Sequence, residues 1–244
     1  MPDAPTDPLF QSDAYQQSCS ARVVAVDERG GVALDRTVFY ATGGGQPGDV
    51  GRLAWEGGEA EIVATVKGEA PGRIIHALAE GALPPPVGAE VVATLDWTVR
   101  RRHMRMHTAL HLLSVVLPLP VTGGQIGAEK GRLDFDMPEA PEDKAALEER
   151  LAALIAADHP VRDEWITDAE LEANPGLVKT MAVKPPMGQG RVRLVRIGAG
   201  DPPVDLQPCG GTHVRSTGEI GRVSIGKIEK KGKQNRRVNL VFAD

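Results

Sequence analysis

Thr98-Val-Arg-Arg-Arg-His-Met-Arg-Met-His107-Thr-Ala-Leu-His111-Leu-Leu-Ser-Val-Val-Leu117 is where the chain changes character. Met106, Leu110, Leu113 and Leu117 recur at offsets of three and four, the spacing of one helical face. Pro118 and Pro120 cannot continue that helix, so the pattern predicts one over 98–117.

Upstream, the short runs 21–27, 31–39, 51–55, 60–66, 73–77 and 91–95 are β-prone and divided by Gly, Asp and Glu. Closely spaced short strands suggest a small barrel or sandwich. Residues 82–89, Ala-Leu-Pro-Pro-Pro-Val-Gly-Ala, read as a rigid turn or linker. Downstream, a second helix is expected at about 141–157. Leu147, Leu151, Leu154 and Ile155 lie on its one face, and Glu142 and Asp143 in its first turn, where the helix dipole favours them. Strands are expected at 132–136, 191–197, 223–228 and 237–242. The fold class is α+β: a flexible tail over 1–20, a β unit over 21–95, and over 96–244 helices packed on a mostly antiparallel sheet.

The chain has 244 residues, 41% of them hydrophobic, enough for one large or two modest cores. No run of 18 apolar residues occurs, which argues against a membrane-spanning helix. The first twenty residues hold Asp3, Asp7 and Asp13 and no basic residue, unlike an export signal. Cys19, in the expected tail, and Cys209 are too few for a disulfide framework, so a reducing cytoplasmic setting is expected. The net charge of −5 argues against a nucleic-acid partner, yet the bases are clustered. Arg100, Arg101, Arg102 and Arg105 form one group; Lys230, Lys231 and Lys233 belong to another near the C-terminus. Such asymmetry can engage a phosphate backbone despite an acidic total, although charge runs are commonly just solvated faces.

His107 and His111 stand one helical turn apart, close enough to share an ion, a spacing that packing also produces. Pro208-Cys-Gly-Gly-Thr-His213 changes the balance. Two glycines let the backbone turn tightly enough to bring a thiol and an imidazole together. His107, His111, Cys209 and His213 form a three-nitrogen, one-sulfur set suited to Zn²⁺. Position 108 is Thr, where zinc peptidases with paired helical histidines place a glutamate base, so an activated ester is a better substrate than a peptide.

At these residues the chain resembles the editing domain of alanyl-tRNA synthetase and its free-standing relatives, the AlaX proteins. The resemblance is carried by His107-Thr-Ala-Leu-His111-Leu-Leu and by Cys209-Gly-Gly-Thr-His213-Val-Arg-Ser-Thr-Gly-Glu-Ile-Gly. Phe39-Tyr-Ala-Thr42-Gly-Gly44-Gly45-Gln46-Pro-Gly-Asp49, Gly124-Gln-Ile-Gly127 and Arg132-Leu-Asp-Phe-Asp136 fit as well, so the match runs from about residue 20 to the end. It implies a small β-barrel domain, then an α+β zinc-binding editing domain, in the medium-length form. It also implies zinc-assisted deacylation of mischarged Ser-tRNA(Ala), with Gly-tRNA(Ala) as a candidate second substrate and the tRNA acceptor end as partner.

The chemistry has an independent rationale. A pocket shaped for alanine rejects glycine or serine by only roughly 10–200-fold, so a hydrolytic site must supply the rest. That site can recognise the serine hydroxyl, because alanine would leave its polar groups unpaired. Thr42 and Gln46, with Gly44 and Gly45 allowing close backbone approach, are the candidate readers; a tight structural loop is the other reading of this segment. Asp205 and Gln207 are expected to orient a ligand histidine from behind. The basic clusters are expected to guide the acceptor stem by phosphate contacts. His103, one turn before His107, is expected to face solvent beside the arginines, with joining the site as the other reading, and Trp97 and Trp165 to pack or to stack a terminal adenine. Three rival functions remain: a Ser-tRNA(Thr) editing hydrolase, a non-catalytic tRNA-binding module with structural zinc, and a zinc hydrolase of small esters.

Overall fold

Ser18-Cys-Ser-Ala-Arg-Val-Val-Ala-Val26 alternates small apolar and polar side chains, and in the computed structural model it buries Cys19, Ala21 and Val23 on one side. Residues 5–141, 143–180 and 190–243 are described. They form two units, one of residues up to Gly43 with Pro47–Arg101, the other of Gly44–Gln46 with everything from Arg102 on.

The first unit contains β1 (Asp7–Pro8), β2 (Ser18–Val26), β3 (Val32–Leu34), β4 (Arg36–Thr37), β5 (Gly51–Trp55), β6 (Gly58–Lys67), β7 (Ile74–Leu78) and β8 (Glu90–Leu95). A closed barrel runs β2-β3-β7-β6-β5-β8, with no free edge. Val23, Leu34, Phe39, Leu53, Ile62 and Ala93 belong to its core. The tail expected over 1–20 is corrected from residue 7 on: β1 pairs with β4, Phe10 is buried, and Ser18–Ser20 pair with β8. Cys19 is therefore a core residue, and burial raises its thiol pKa.

Helix α1 (Trp97–Val116) carries the boundary between the units after Arg101. The second unit adds β9 (Val121–Gln125), β10 (Lys130–Asp136), α2 (Lys144–Ala156), β11 (Val161–Thr167), α3 (Asp168–Ala173), β12 (Arg191–Ile197), β13 (Asp205–Pro208), β14 (Val223–Lys231) and β15 (Asn235–Phe242). Its two antiparallel sheets have the orders β14-β15-β10-β9 and β11-β12-β13. Helix α2 starts later than expected because Asp143 is its N-cap, accepting from the Ala146 N–H at 2.9 Å. Glu142, expected in that first turn, lies outside the described residues. Among the described residues no helix is long and apolar enough to cross a membrane.

Arg100 requires a correction. It is 0% exposed, inside the first unit, where its Nε donates to both carboxylate oxygens of Asp49 at 2.9 and 3.0 Å. Its terminal nitrogens reach the carbonyls of Ala14 and Val38 at 2.9 and 2.7 Å. A guanidinium buried and bonded in this way cannot meet a phosphate, so Arg100 leaves the set of tRNA contacts.

Candidate metal centre

Helix α1 presents His107 and His111 one turn apart, with ring centroids separated by 5.2 Å. The loop after β13 brings Cys209 and His213. One candidate ligand atom from each of the four residues lies within 4.8 Å of the others. Cys209 Sγ is 3.5 Å from His107 Nε2 and 3.3 Å from His213 Nε2. The His213 ring centroid stands 4.2 Å from that of His107 and 4.6 Å from that of His111.

Each imidazole is held by its other nitrogen. His107 Nδ1 lies 2.9 Å from Gln46 Oε1, His111 Nδ1 3.0 Å from Asp205 Oδ2, and His213 Nδ1 3.1 Å from Thr108 Oγ1. An amide oxygen and a carboxylate only accept, so Nδ1 carries the proton on His107 and His111. Nε2 is then the nitrogen left to meet an ion in place of a proton, the wiring found behind most metal-bound histidines.

The partners are tied down in turn. Gln46 Oε1 also accepts from the Thr212 N–H at 3.1 Å, and its Nε2 donates to Thr212 Oγ1 at 2.9 Å. Asp205 accepts from Lys179 at 2.5 Å and from Gln207 Nε2 at 2.7 Å. Thr108 donates to the Met104 carbonyl at 3.0 Å and accepts from the Val214 N–H at 3.3 Å.

The glycines are explained by space. A Cβ on Gly211 would stand 2.5 Å from His107 Nδ1 and 2.7 Å from Gln46 Oε1, so any side chain there would displace both. Its N–H instead points at Cys209 Sγ, 3.4 Å away. Gly45, at φ +82°, would drive a Cβ to 2.7 Å from the Gly124 carbonyl; its own carbonyl accepts from the Ile126 N–H at 2.8 Å. Beneath the cysteine loop, Arg193 on β12 donates to the Cys209 and Gly211 carbonyls at 2.8 and 2.9 Å and to Asp163 at 2.7 Å.

Electrostatics favour a cation here. Burial raises the Cys209 thiol pKa, but the adjacent His107 and His213 charges pull it well below its ordinary value. Burial lowers His111, yet its hydrogen bonds to Asp205 and Cys209 lift it to about 9. Burial and the His107 charge push His213 well down. Asp205, despite burial, is held at about 2 by its hydrogen bond to His111 and the charges of His111 and Lys179. A thiolate and a carboxylate thus flank one imidazole held protonated, His111, and one held neutral, His213. One bound cation satisfies the same balance, and the donor set fits a metal ion.

Other expected site residues fall elsewhere. Gln46 is 1% exposed and its amide is spent on His107 and Thr212, so it positions a histidine instead of reading a substrate hydroxyl. Thr42, exposed in the first unit, donates to the Thr65 carbonyl at 3.2 Å and accepts from the Gly48 N–H at 2.8 Å. Arg101 is exposed; Arg102 pairs with Glu129. Arg105 donates to the Ile220 carbonyl at 2.7 Å and lies 4.4 Å over the Phe242 ring. Lys230, Lys231 and Lys233 are exposed at the β14–β15 turn. His103, expected to face solvent, is buried at 4% exposure. Thr108, Lys179, Arg193 and Thr212 were missed. Thr108, set between two helical histidines, carried a visible signal.

A barrel followed by an α+β unit that gathers histidines and a cysteine defines a class, and comparison with known proteins names it. Residues 192–239 match the family described as threonyl and alanyl tRNA synthetase second additional domain, and residues 11–99 match tRNA synthetases class II (A). An alanine–tRNA ligase of Pyrobaculum neutrophilum is 40% identical over 92% of this chain. The chain spans only 25% of the length of that ligase. A protein of Methanosarcina acetivorans called alanyl-tRNA editing protein AlaX-M is 36% identical over 98% of this chain and 100% of its own length. One of the same name from Saccharolobus solfataricus is 35% identical over 96% of this chain and 97% of its own. The chain belongs to the AlaX-M alanyl-tRNA editing family.

Proposed function

We propose that this protein is a trans-editing deacylase that hydrolyses the ester of mischarged Ser-tRNA(Ala), with Gly-tRNA(Ala) as a second substrate, and that it holds Zn²⁺ through His107, His111, Cys209 and His213. The observation that carries the reading is the convergence of those four donors within 4.8 Å, with every imidazole braced through Nδ1. Kinship with proteins named for alanyl-tRNA editing supports a charged tRNA(Ala) as the substrate class.

When bound, zinc supplies Lewis acidity toward an ester carbonyl or a water molecule. The chain does the rest. Gln46, Asp205 and Thr108 fix the three rings, and Gly211 keeps the loop clear of His107. Asp205, itself anchored by Lys179, makes His111 a stronger donor. Thr42 is our candidate for reading the serine hydroxyl, since one acceptor position of its own hydroxyl remains. Arg101, Arg102, Arg105 and the turn lysines 230, 231 and 233 are proposed as backbone contacts for the acceptor stem.

The test incubates the zinc-loaded and the chelator-treated protein with Ser-, Gly- and Ala-tRNA(Ala) and with Ser-tRNA(Thr). Serine should leave Ser-tRNA(Ala), alanine should stay, chelation should abolish turnover, and added zinc should restore it. Faster release from Ser-tRNA(Thr) would move the assignment to threonyl editing. Binding of tRNA with no turnover on any substrate would leave a non-catalytic module.

A further inference from the structure

Trp165 is 43% exposed; in the second unit, among the described residues, only it and Leu119 are large apolar side chains left so open. It sits on β11, directly opposite Arg193 of β12. The Cys209 N–H donates to the Arg193 carbonyl at 3.2 Å, which extends that row to the cysteine loop. Residues paired across antiparallel strands project to the same face, as do residues two apart on a strand. Asp205 and Gln207, on the cluster's side of β13, pair with Ile197 and Val195, and Val195 pairs with Asp163. Two residues along the same strands stand Cys209, Arg193 and Trp165, so all three share the face that carries the cluster.

The spacing is informative. Strands lie about 5 Å apart, so Trp165 stands about 10 Å across the sheet from Cys209. That is comparable to the reach from an ester on a ribose to the far edge of the ribose's own base. The floor between is occupied by the Arg193 guanidinium, tied to the Cys209 and Gly211 carbonyls and to Asp163. The Arg191 guanidinium lies 4.6 Å from the centre of the Trp165 ring, bracing the indole by a cation–π contact and setting positive charge beside it. An open, braced aromatic plane beside a cation is how proteins hold an unpaired nucleobase.

From this we infer that Trp165, braced by Arg191, is the platform on which the terminal adenine of the RNA substrate stacks while its ester lies at the four-residue cluster. The inference rests on the editing reading above and adds a nucleobase subsite to it. Because stacking uses the π-face of the base, the subsite positions the end of the RNA and contributes little to choosing among bases.

The test measures binding of two hydrolysis-resistant ligands to the zinc-loaded protein by calorimetry. One is 3′-deoxy-3′-(L-serylamino)adenosine; the other is the same amide on a ribose bearing hydrogen in place of adenine. Trp165→Ala should weaken the adenosine ligand roughly tenfold or more and leave the base-free ligand unchanged. Trp165→Phe, which keeps a π-face, should recover most of the loss. Equal weakening of both ligands would mark Trp165 as structural, and unchanged adenosine binding would remove the subsite; either overturns the inference while the editing reading stands. A wild-type protein that binds neither ligand and leaves Ser-tRNA(Ala) intact would overturn the editing reading, and this subsite with it.

Discussion

His76 in the barrel and His107, His111 and His213 in the second unit are all buried, yet they do opposite things. Both ring nitrogens of His76 are taken: Nδ1 donates to the Val32 carbonyl at 2.9 Å, and Nε2 accepts from the Thr37 hydroxyl at 2.8 Å. With Phe39 edge-on at 5.2 Å it is a neutral core residue, and burial lowers its pKa to about 4. In the cluster each histidine spends Nδ1 on a protein partner, and His107 and His213 turn Nε2 toward Cys209 Sγ. Burial is therefore a poor guide to a histidine's role. What separates His76 from the cluster is what its Nε2 meets: a hydroxyl in the barrel, against the Cys209 thiol for His107 and His213.

The sharpest way to break this contrast is to remove the thiolate. Cys209→Ala should lower zinc affinity and Ser-tRNA(Ala) deacylation by at least about 100-fold, because the set loses its only sulfur donor. A variant that keeps zinc and turnover in chelator competition would show that the cluster is not the metal site.

On the barrel side, the contrast predicts acid sensitivity. The folded-state pKa of His76 lies below the ordinary value of 6.5, so between about 6.5 and 4 the unfolded chain binds the extra proton. Its contribution to stability is present above that window and is lost as pH falls through it, on the order of 3 kcal/mol at the limit. Urea unfolding at pH 7 and pH 4.5 should show the loss, and His76→Gln should reduce it. An equal acid loss in that variant would place the effect elsewhere.

Gln46 sharpens the comparison between positioning and reading. Gln46→Leu leaves His107 Nδ1 and the Thr212 N–H without their acceptor, and should lower zinc affinity about 10–100-fold. A reader of serine would behave differently: zinc binding would persist and the preference for Ser- over Ala-tRNA(Ala) would collapse. The smallest effect is expected at Arg193. Arg193→Met removes two bonds to the cysteine loop and should cost about tenfold in zinc affinity, with faster amide exchange over 209–213. Arg196→Met, on the same strand but bonded to Gly198 and Gly200, is the control that should change neither.

The four cluster residues are legible in the sequence, and what holds them is not. His107 with His111, and Cys209 with His213, are local spacings, readable from helical pitch and a glycine turn. Gln46 and Thr212 are 166 positions apart, and Lys179 is 26 from Asp205, so no local pattern announces either pair. Strands with a buried face, such as β2, β6 and β12, were visible in their apolar residues. Four others were not: β1 is the two-residue Asp-Pro of the expected tail, β9 carries two glycines, β11 alternates polar residues on an exposed face, and β13 is Asp-Leu-Gln-Pro. Arg100 belongs to a charge run in the sequence but not to the exposed face of the helix. It lies one turn before Met104, on the stripe that the structure buries.

X-ray absorption at the zinc edge of the loaded protein tests the central claim most directly. The account predicts one zinc per chain, with one sulfur at about 2.3 Å and three imidazole nitrogens at about 2.0–2.1 Å. A zinc shell without sulfur, or with fewer than three imidazoles, would contradict it.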